Sequence, residues 1–588
     1  MPTRALPTTN PTIDSYSIPT SIPQDDDHFI VLAPLRQGDG AFAAELVEVL
    51  DRVLYQSFPE RAYQFKILEE PLNSLPQALE VPQQYPGADI VLTWESSEDK
   101  LTNLYLIAAS RPTQLQVEDM HLPWDVVSPE QIGFPINGPD DLTFAAEAGT
   151  AIMHLQMGQQ AEAQQQVAEM LLTPSNLPPQ YGKQREAILQ FLTAEVSSQQ
   201  DPVLTLKAYS EALRLSETFP PALINRGNTY LRIGDLETAL VDYNAALALE
   251  PDRLEVLYNR VLLYEQKNNL DLALEEALHL AHIQPDAGWA HNLVGLIYYQ
   301  HREFDKALSR FRKAVSLSPN DPAPLFNLAA TQYQQAHYAS ALNSYETLLD
   351  LAPKNPLFHL HQALAYQASG QYYPAERAFN HALELEPNYL AAYLMRGHLH
   401  ILMQAYDRAS ADAEKALELN PDSGEGYAIL GEANLSQENW EAATSAYTKA
   451  IDLGYVSAEI YAARGWGWQH QRYIPYSVKD YDEALSEGMS GPDFLYRYGF
   501  ALFDAKRYDD ALEALLGAVN EGMDTADAHA ILGVALDANH REDEADSEYQ
   551  RAIDLDSQYT DTDFLNEQPL WSAASIQRAG RIIKRLDQ

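Results

Sequence analysis

The chain has 588 residues, 46% of them hydrophobic, with 39 basic against 84 acidic residues and a formal net charge of −45. That length exceeds what one hydrophobic core organises, so several domains or a repeat array are expected. The negative charge opposes contact with nucleic-acid phosphates and anionic membranes, no run of eighteen apolar residues is present to span a bilayer, and the absence of cysteine removes disulfides and thiolate chemistry while fitting a reducing cytoplasm.

Residues 1–27 hold five prolines among Thr and Ser, a single basic residue, Arg4, and no apolar core of a secretory signal. They are expected to form a disordered tail. Residues 28–112 read as a small α/β domain. HFIVLAPL has the pattern of a buried strand and AFAAELVEVLDRVLYQSF that of an amphipathic helix; YQFKILEE alternates, and GADIVLTWE and LTNLYLIAAS read as two further strands. FIVLAPL and PGADIVLTW, with the turn at Gly87, Ala88 and Asp89, resemble the TolB amino-terminal domain. That resemblance implies a module for protein contact. Residues 113–141, rich in proline and acid, are expected to be a linker that partly packs.

Weak copies of a helix pair occupy 142–219, where Gly149, Ala161 and Ala168, then Tyr209 and Ala212, keep a spacing that becomes regular further on. Over 220–556 the period is 34 residues, marked by Pro251, Pro285, Pro319, Pro353, Pro387 and Pro421. A second column at the same step reads Gly227, Val261, Gly295, Ala329, Ala363, Gly397, Gly431, Gly465, Gly499 and Gly533. A third, twelve residues later, runs from Ala239 to Ala545 and is alanine except at Ser477. Small residues at matching points on two helices let them cross closely, while rings such as Tyr243, Phe311, Tyr345 and Tyr447 fill the flanks. From Gly454 onward the closing proline gives way to glycine, in DLGY, SEGM and NEGM, where a left-handed residue ends the helix. These columns resemble the tetratricopeptide repeat. The resemblance implies a mainly α protein, an alpha-alpha superhelical solenoid of ten repeats with a small α/β domain before it, which binds protein or peptide partners.

Residues 557–588 read as a capping helix. WSAASIQRAGRIIKRL places Ile576, Ala579, Ile583 and Leu586 at helical spacing, with Arg578, Arg581, Lys584 and Arg585 around them as an expected solvated face that offsets the acidic array, the alternative being a docking patch.

Catalytic and metal-binding patterns are lacking in the sequence. The loop Gln37, Gly38, Asp39, Gly40 stands where a phosphate site would, but it has no lysine, hydroxyl or third glycine, and Asp39 repels an anion. His359 and His361, like His398 and His400, stand two apart and diverge on a helix; His279 and His282 are well spaced but have no evident third ligand. There is no GxSxG or HExxH. No catalytic residue, cofactor or metal is expected.

In the repeat family the inner wall is built from first-helix positions six and three before the small residue and one and four after it. The resemblance places there Tyr258, Leu262, Trp289, Asn292, Leu296, Tyr299, Phe326, Tyr333, Leu360, Leu364 and Leu394. Large apolar side chains on a wall that faces water mark a ligand surface; the alternative is that the superhelix winds tightly and they pack on each other or on the tail. Asn228 and Asn259 match the asparagines of the family's carboxylate clamp, but Ile224, Trp289 and Leu293 occupy its cationic positions, so the charge that holds a carboxylate is missing. The expected function is a cytoplasmic, non-catalytic scaffold or adaptor that takes a partner peptide in this groove. The alternative is a regulatory or accessory subunit that docks through the α/β domain.

Overall fold

The computed structural model describes residues 139–587, apart from 157–158, 173–178 and 199, together with five strands upstream. The tail expected over 1–27, the helix expected over 41–58 and the Gln37 to Gly40 loop lie outside the described residues. The described residues form two compact units, one ending at Gln335 and the other beginning at Ala336.

The first unit opens with β1 (Phe29–Pro34), β2 (Gln64–Ile67), β3 (Ala88–Ser97), β4 (Lys100–Ala108) and β5 (Gln131–Pro135), in the sheet order β2-β1-β3-β4-β5. β1 is parallel to β2 and β3, while β3, β4 and β5 run antiparallel. Parallel neighbours need a crossover connection, and residues 35–63 give room for one. β5 falls within 113–141, expected as a linker. Its run QIGFP offers only Ile132 and Phe134 as alternating apolar residues, too short a pattern to stand out locally. What makes it a strand is non-local: Phe134 pairs opposite Leu104 and Ile132 opposite Leu106.

Four helices follow, α1 (Pro139–Gln156), α2 (Gln160–Leu172), α3 (Pro179–Ser197) and α4 (Pro202–Leu215), with α1 lying against β3, β4 and β5. Regular pairs begin with α5 (Pro220–Arg232) and α6 (Leu236–Leu249), and continue as α7 (Leu254–Gln266), α8 (Leu270–Ile283), α9 (Gly288–Gln300), α10 (Phe304–Leu317) and α11 (Pro322–Gln334). A buried carboxylate ties the irregular helices to the regular ones. Glu195 on α3 accepts hydrogen bonds from the Tyr209 hydroxyl on α4 and from the Asn225 amide on α5, the latter at 2.7 Å, and burial pushes its carboxyl above the usual range.

The second unit continues the pattern with α12 (Tyr338–Leu351), α13 (Pro356–Ala368), α14 (Tyr372–Leu385), α15 (Leu390–Leu402), α16 (Tyr406–Leu419), α17 (Gly424–Ser436) and α18 (Trp440–Asp452). It goes on through α19 (Ala458–His470), α20 (Ile474–Ser486), α21 (Pro492–Asp504), α22 (Tyr508–Asn520), α23 (Ala526–Ala538) and α24 (Glu542–Leu555). A 3-10 turn at Ser557–Thr560, the short α25 (Thr562–Asn566) and α26 (Ala573–Leu586) close the chain, the last begun by a capping box between Ser572 and Ser575.

The small-residue columns lie at the helix crossings. All ten residues of the column from Ala239 to Ala545 are fully buried, and so are rings such as Tyr243, Tyr345, Phe379 and Tyr549. A methyl group at Gly227 would stand 2.7 Å from the Tyr243 ring, and at Gly295 2.5 Å from Phe311. These glycines exist because a ring of the second helix lies on the backbone of the first. A recurring ion pair adds to the crossing. Arg226 makes two hydrogen bonds to Asp242, at 2.8 and 2.7 Å, and Arg464 repeats this with Asp480 at 2.8 and 2.7 Å, as Arg396 does with Asp412 at 3.0 and 2.6 Å. The three aspartates are buried, so each carboxylate depends on its guanidinium.

The turn inside each of the ten pairs holds one residue with positive φ, at Gly234, Asn268, Arg302, Ala336, Gly370, Gln404, Glu438, Arg472, Lys506 and His540. The backbone takes this left-handed turn even where the residue is not glycine. Between pairs, Gly454, Gly488 and Gly522 have φ of 81°, 90° and 105°, the conformation expected where glycine replaces proline.

The crossings make unequal demands on their glycines. At Gly431 a methyl group would meet three atoms of the Tyr447 ring at 2.9 to 3.0 Å, whereas at Gly397 it would meet the ends of Ile429 at 3.2 and 3.4 Å. Tyr447 is buried and its hydroxyl donates to Glu432 at 2.7 Å, so the ring has no easy escape. Gly431→Ala is predicted to cost about 1–3 kcal/mol in denaturant unfolding. Gly397→Ala should be near neutral, because its helix-propensity gain of about 1 kcal/mol offsets a mild contact. Equal effects would place the crossing elsewhere.

Candidate functional site on the inner wall

Among the twelve groove candidates, Tyr258, Asn259, Asn292, Leu296, Phe326, Leu360 and Leu394 are buried, while Asn228, Trp289, Tyr299, Tyr333 and Leu364 are half-buried. The wall is therefore drier than expected for large apolar residues facing water. Several of its members pack on their neighbours in successive first helices. In the first unit, Tyr258 on α7 meets Trp289 on α9 edge-on, with ring centroids 6.4 Å apart. Tyr299 stacks edge-on with Phe304 at 5.4 Å, and burial pushes its phenol upward although Gln334 hydrogen-bonds it. Leu262 is half-buried. Phe326 is only 2% exposed.

The asparagines pair along the wall. The Asn228 carbonyl oxygen accepts from the Tyr243 hydroxyl and from the Asn259 amide, both at 2.7 Å, and Asn327 donates to Asn292 at 3.0 Å. In the second unit, Leu394 on α15 belongs to an apolar cluster with Ala409, Ala413, Ile429 and Ala433. The histidines are taken up locally. His359 contacts the Pro353 carbonyl at 3.0 Å, His398 contacts Glu425 at 2.9 Å, and His400 lies 2.9 Å from Asp412. His361 lies beside Tyr345 with ring centroids 6.1 Å apart, and burial pushes its imidazole down to about 4.

A second stretch of inner wall was not among these candidates. Counting six and three before, and one and four after, the small residues Gly499 and Gly533 gives eight positions, among them Tyr496, Phe500, Asp527 and Asp537. The chain's own C-terminal segment contacts Phe500, Asp527 and Asp537. Asp527 on α23 accepts hydrogen bonds from Tyr496 on α21, from Tyr559 at 2.7 Å and from the Trp571 indole at 2.7 Å. Burial, and then the Asp527 charge, push the Tyr496 and Tyr559 phenols upward. Trp571 is 3% exposed and lies edge-on to Phe500 with centroids 6.0 Å apart. Arg578 and Arg585 of α26 donate to Asp537 at 2.9 and 2.8 Å, and Arg585 also donates to Asp546 at 2.9 and 2.7 Å. The guanidinium of Arg472 donates to the carbonyls of Pro569, Leu570 and Trp571 at 3.0 to 3.1 Å. The basic cluster is thus not one solvated face. Arg581 and Lys584 are exposed, but Arg578 and Arg585 turn onto acidic residues of the last repeat, because that position pairs them at short range.

Asp527 is the acceptor that three donors share, the buried Tyr559 and Trp571 and the half-buried Tyr496. Asp527→Ala is predicted to lower unfolding free energy by about 3 kcal/mol, since donors left unsatisfied cost about 1–3 kcal/mol each and part of this is recovered by relaxation. Limited proteolysis should then cut first within 557–586; an unchanged melt and digestion pattern would contradict the assignment.

Tetratricopeptide repeat family patterns match residues 220–253, 272–322, 298–365, 358–389 and 394–455. No curated protein matches the chain. Solved structures similar to this chain include a tetratricopeptide repeat protein from Parabacteroides merdae ATCC 43184, at 20% identity over 42% of this chain and 98% of that one, with a TM-score of 0.36. Pseudomonas aeruginosa pilF is similar at 22% identity over 35% of this chain and 94% of its own, with a TM-score of 0.31. The Cut9–Hcn1 hetero-tetramer of the APC/C matches at 14% identity over 75% of this chain and 90% of its own, with a TM-score of 0.34. Residues 220–253, 272–389 and 394–455 of the helical array are tetratricopeptide repeats.

Proposed function

We propose that this chain is a non-catalytic scaffold or adaptor that holds a peptide segment of a partner protein against the inner wall of its first helices. The observation that carries this reading is the C-terminal end of the array. There Phe500 and Asp527, both at inner-wall positions, already hold a segment of the chain through the ring and the indole N–H of Trp571, while Tyr496 donates to Asp527 from within the wall. In the first unit the matching anchors are Trp289, Tyr299 and Tyr333, half-buried aromatic side chains with polar tips, of the kind that dominate peptide interfaces. Asn228 has both lone pairs of its carbonyl oxygen engaged, so it offers a bound backbone its amide N–H. In the second unit Leu360, Leu364 and Leu394 extend the apolar character of the same positions.

The sheet at the amino-terminal end belongs to the same reading as a TolB-like contact module, supported by its mixed order β2-β1-β3-β4-β5. No helix among the described residues is long and apolar enough to cross a membrane. A cytoplasmic location fits a chain that lacks cysteine.

Two substitutions separate wall from core. Trp289→Ala is predicted to weaken binding of a captured partner by about 2 kcal/mol, roughly 30-fold, with a smaller loss of stability. Phe326→Ala should behave oppositely and cost about 3–5 kcal/mol of folding free energy, because the ring is buried. Calorimetric titration and denaturant unfolding of both variants read the two effects. If Trp289→Ala melts early while binding as before, the wall of the first unit is not the site.

A further inference from the structure

We propose that the inner wall of the last two repeats is a separate peptide site, occupied by the chain's own C-terminal segment and opened by a partner segment of the same chemistry: a tryptophan followed by an arginine-bearing amphipathic helix. It rests on the reading of the inner wall as a peptide surface but uses no residue of α5 to α11.

Three observations carry it. The wall residues that the segment touches, Phe500, Asp527 and Asp537, fall at inner-wall positions by the 34-residue count, so the segment lies on the surface that a peptide ligand would use. Its attachment also has the form of a recognised peptide. One buried indole donates to Asp527 while its ring meets Phe500 and Tyr559, and two guanidiniums pair with Asp537 and Asp546. Arg472 holds three successive backbone carbonyls just before the helix, a contact that any sequence presents equally well. Finally, the occupant is cationic on a chain of net charge −45, so charge complementarity draws basic segments to this end. Ile582 and Ala579 are buried while Arg581 and Lys584 stay exposed, which is the two-faced character expected of a helix laid in a groove.

A resident segment makes the site conditional. A partner engages only during local opening of residues 567–588, or when its own segment outcompetes the tethered one. Regulation by occupancy follows from tethering alone.

The test uses the full chain and a labelled synthetic peptide of residues 567–588. In the full chain, Arg578→Ala with Arg585→Ala weakens the resident segment without touching the wall. The labelled peptide is expected to bind this double variant at least tenfold more tightly than the unsubstituted chain, and a peptide carrying the same two substitutions should not bind. Equal affinity for both chains, or binding to neither, overturns the proposal. A second reading needs no variant: in the unsubstituted chain, the amides of α26 should exchange with solvent at least tenfold faster than those of α23. Exchange no faster than α23 makes the segment a fixed cap and also overturns it. A concentration-dependent dimer abolished by the double variant would show that the occupant is a second copy of this chain. None of these failures touches the Trp289 comparison, which tests the first unit.

Discussion

Close approach between the two helices of a pair is the constraint on which the rest of this structure depends. A ring from the second helix rests on the backbone of the first, and only a residue with little or no side chain tolerates it there. At Gly227 and Gly295 the distance left for a methyl group is under 3 Å. Once that crossing is fixed, the 34-residue period, the buried alanine column and the left-handed residue at each turn follow, because each pair must present the same face to the next. A single pair cannot bury its own apolar surface, so its stability is shared with its neighbours.

Charge is organised around the same frame. The net charge is −45, yet the buried aspartates at the crossings are matched one by one with arginines. Buried charges of this kind are held by geometry, since a carboxylate without its guanidinium would remain desolvated and unpaired. The end of the array uses the same chemistry differently. There the arginines arrive from the C-terminal helix and the acids come from the last repeat, so the terminal helix is held by ion pairs between elements that lie some forty residues apart in sequence.

Much of the helical array was legible in the sequence because its cause is local and repeated. Proline spacing, glycine and alanine columns and the switch to Gly454, Gly488 and Gly522 each reflect a contact made again every 34 residues. What escaped is non-local or single. β5 exists through pairing with β4, and two apolar residues in QIGFP cannot announce it. The left-handed turns at Arg302, Glu438 and Lys506 carry no glycine to mark them. Arg578 and Arg585 look like a solvated face until the fold brings Asp537 and Asp546 to them, residues some forty positions earlier in the chain. The inner positions Tyr496, Phe500, Asp527 and Asp537 were within reach of the same counting that gave Trp289 and Tyr299. Which wall residues, such as Leu394, are the buried ones was not, since that depends on which side chains the neighbouring helices bring.

The scaffold reading stands or falls on which face of the first unit a partner touches. Site-directed photocross-linking in the native host, with the photoreactive residue placed either at Tyr299 on the inner wall or at Val241 on the second helix α6, where the side chain is 65% exposed, measures that directly. The account predicts a discrete partner adduct from position 299 and none from position 241. Adducts from position 241 alone, with none from 299, would put the binding surface on the outer helices and contradict it.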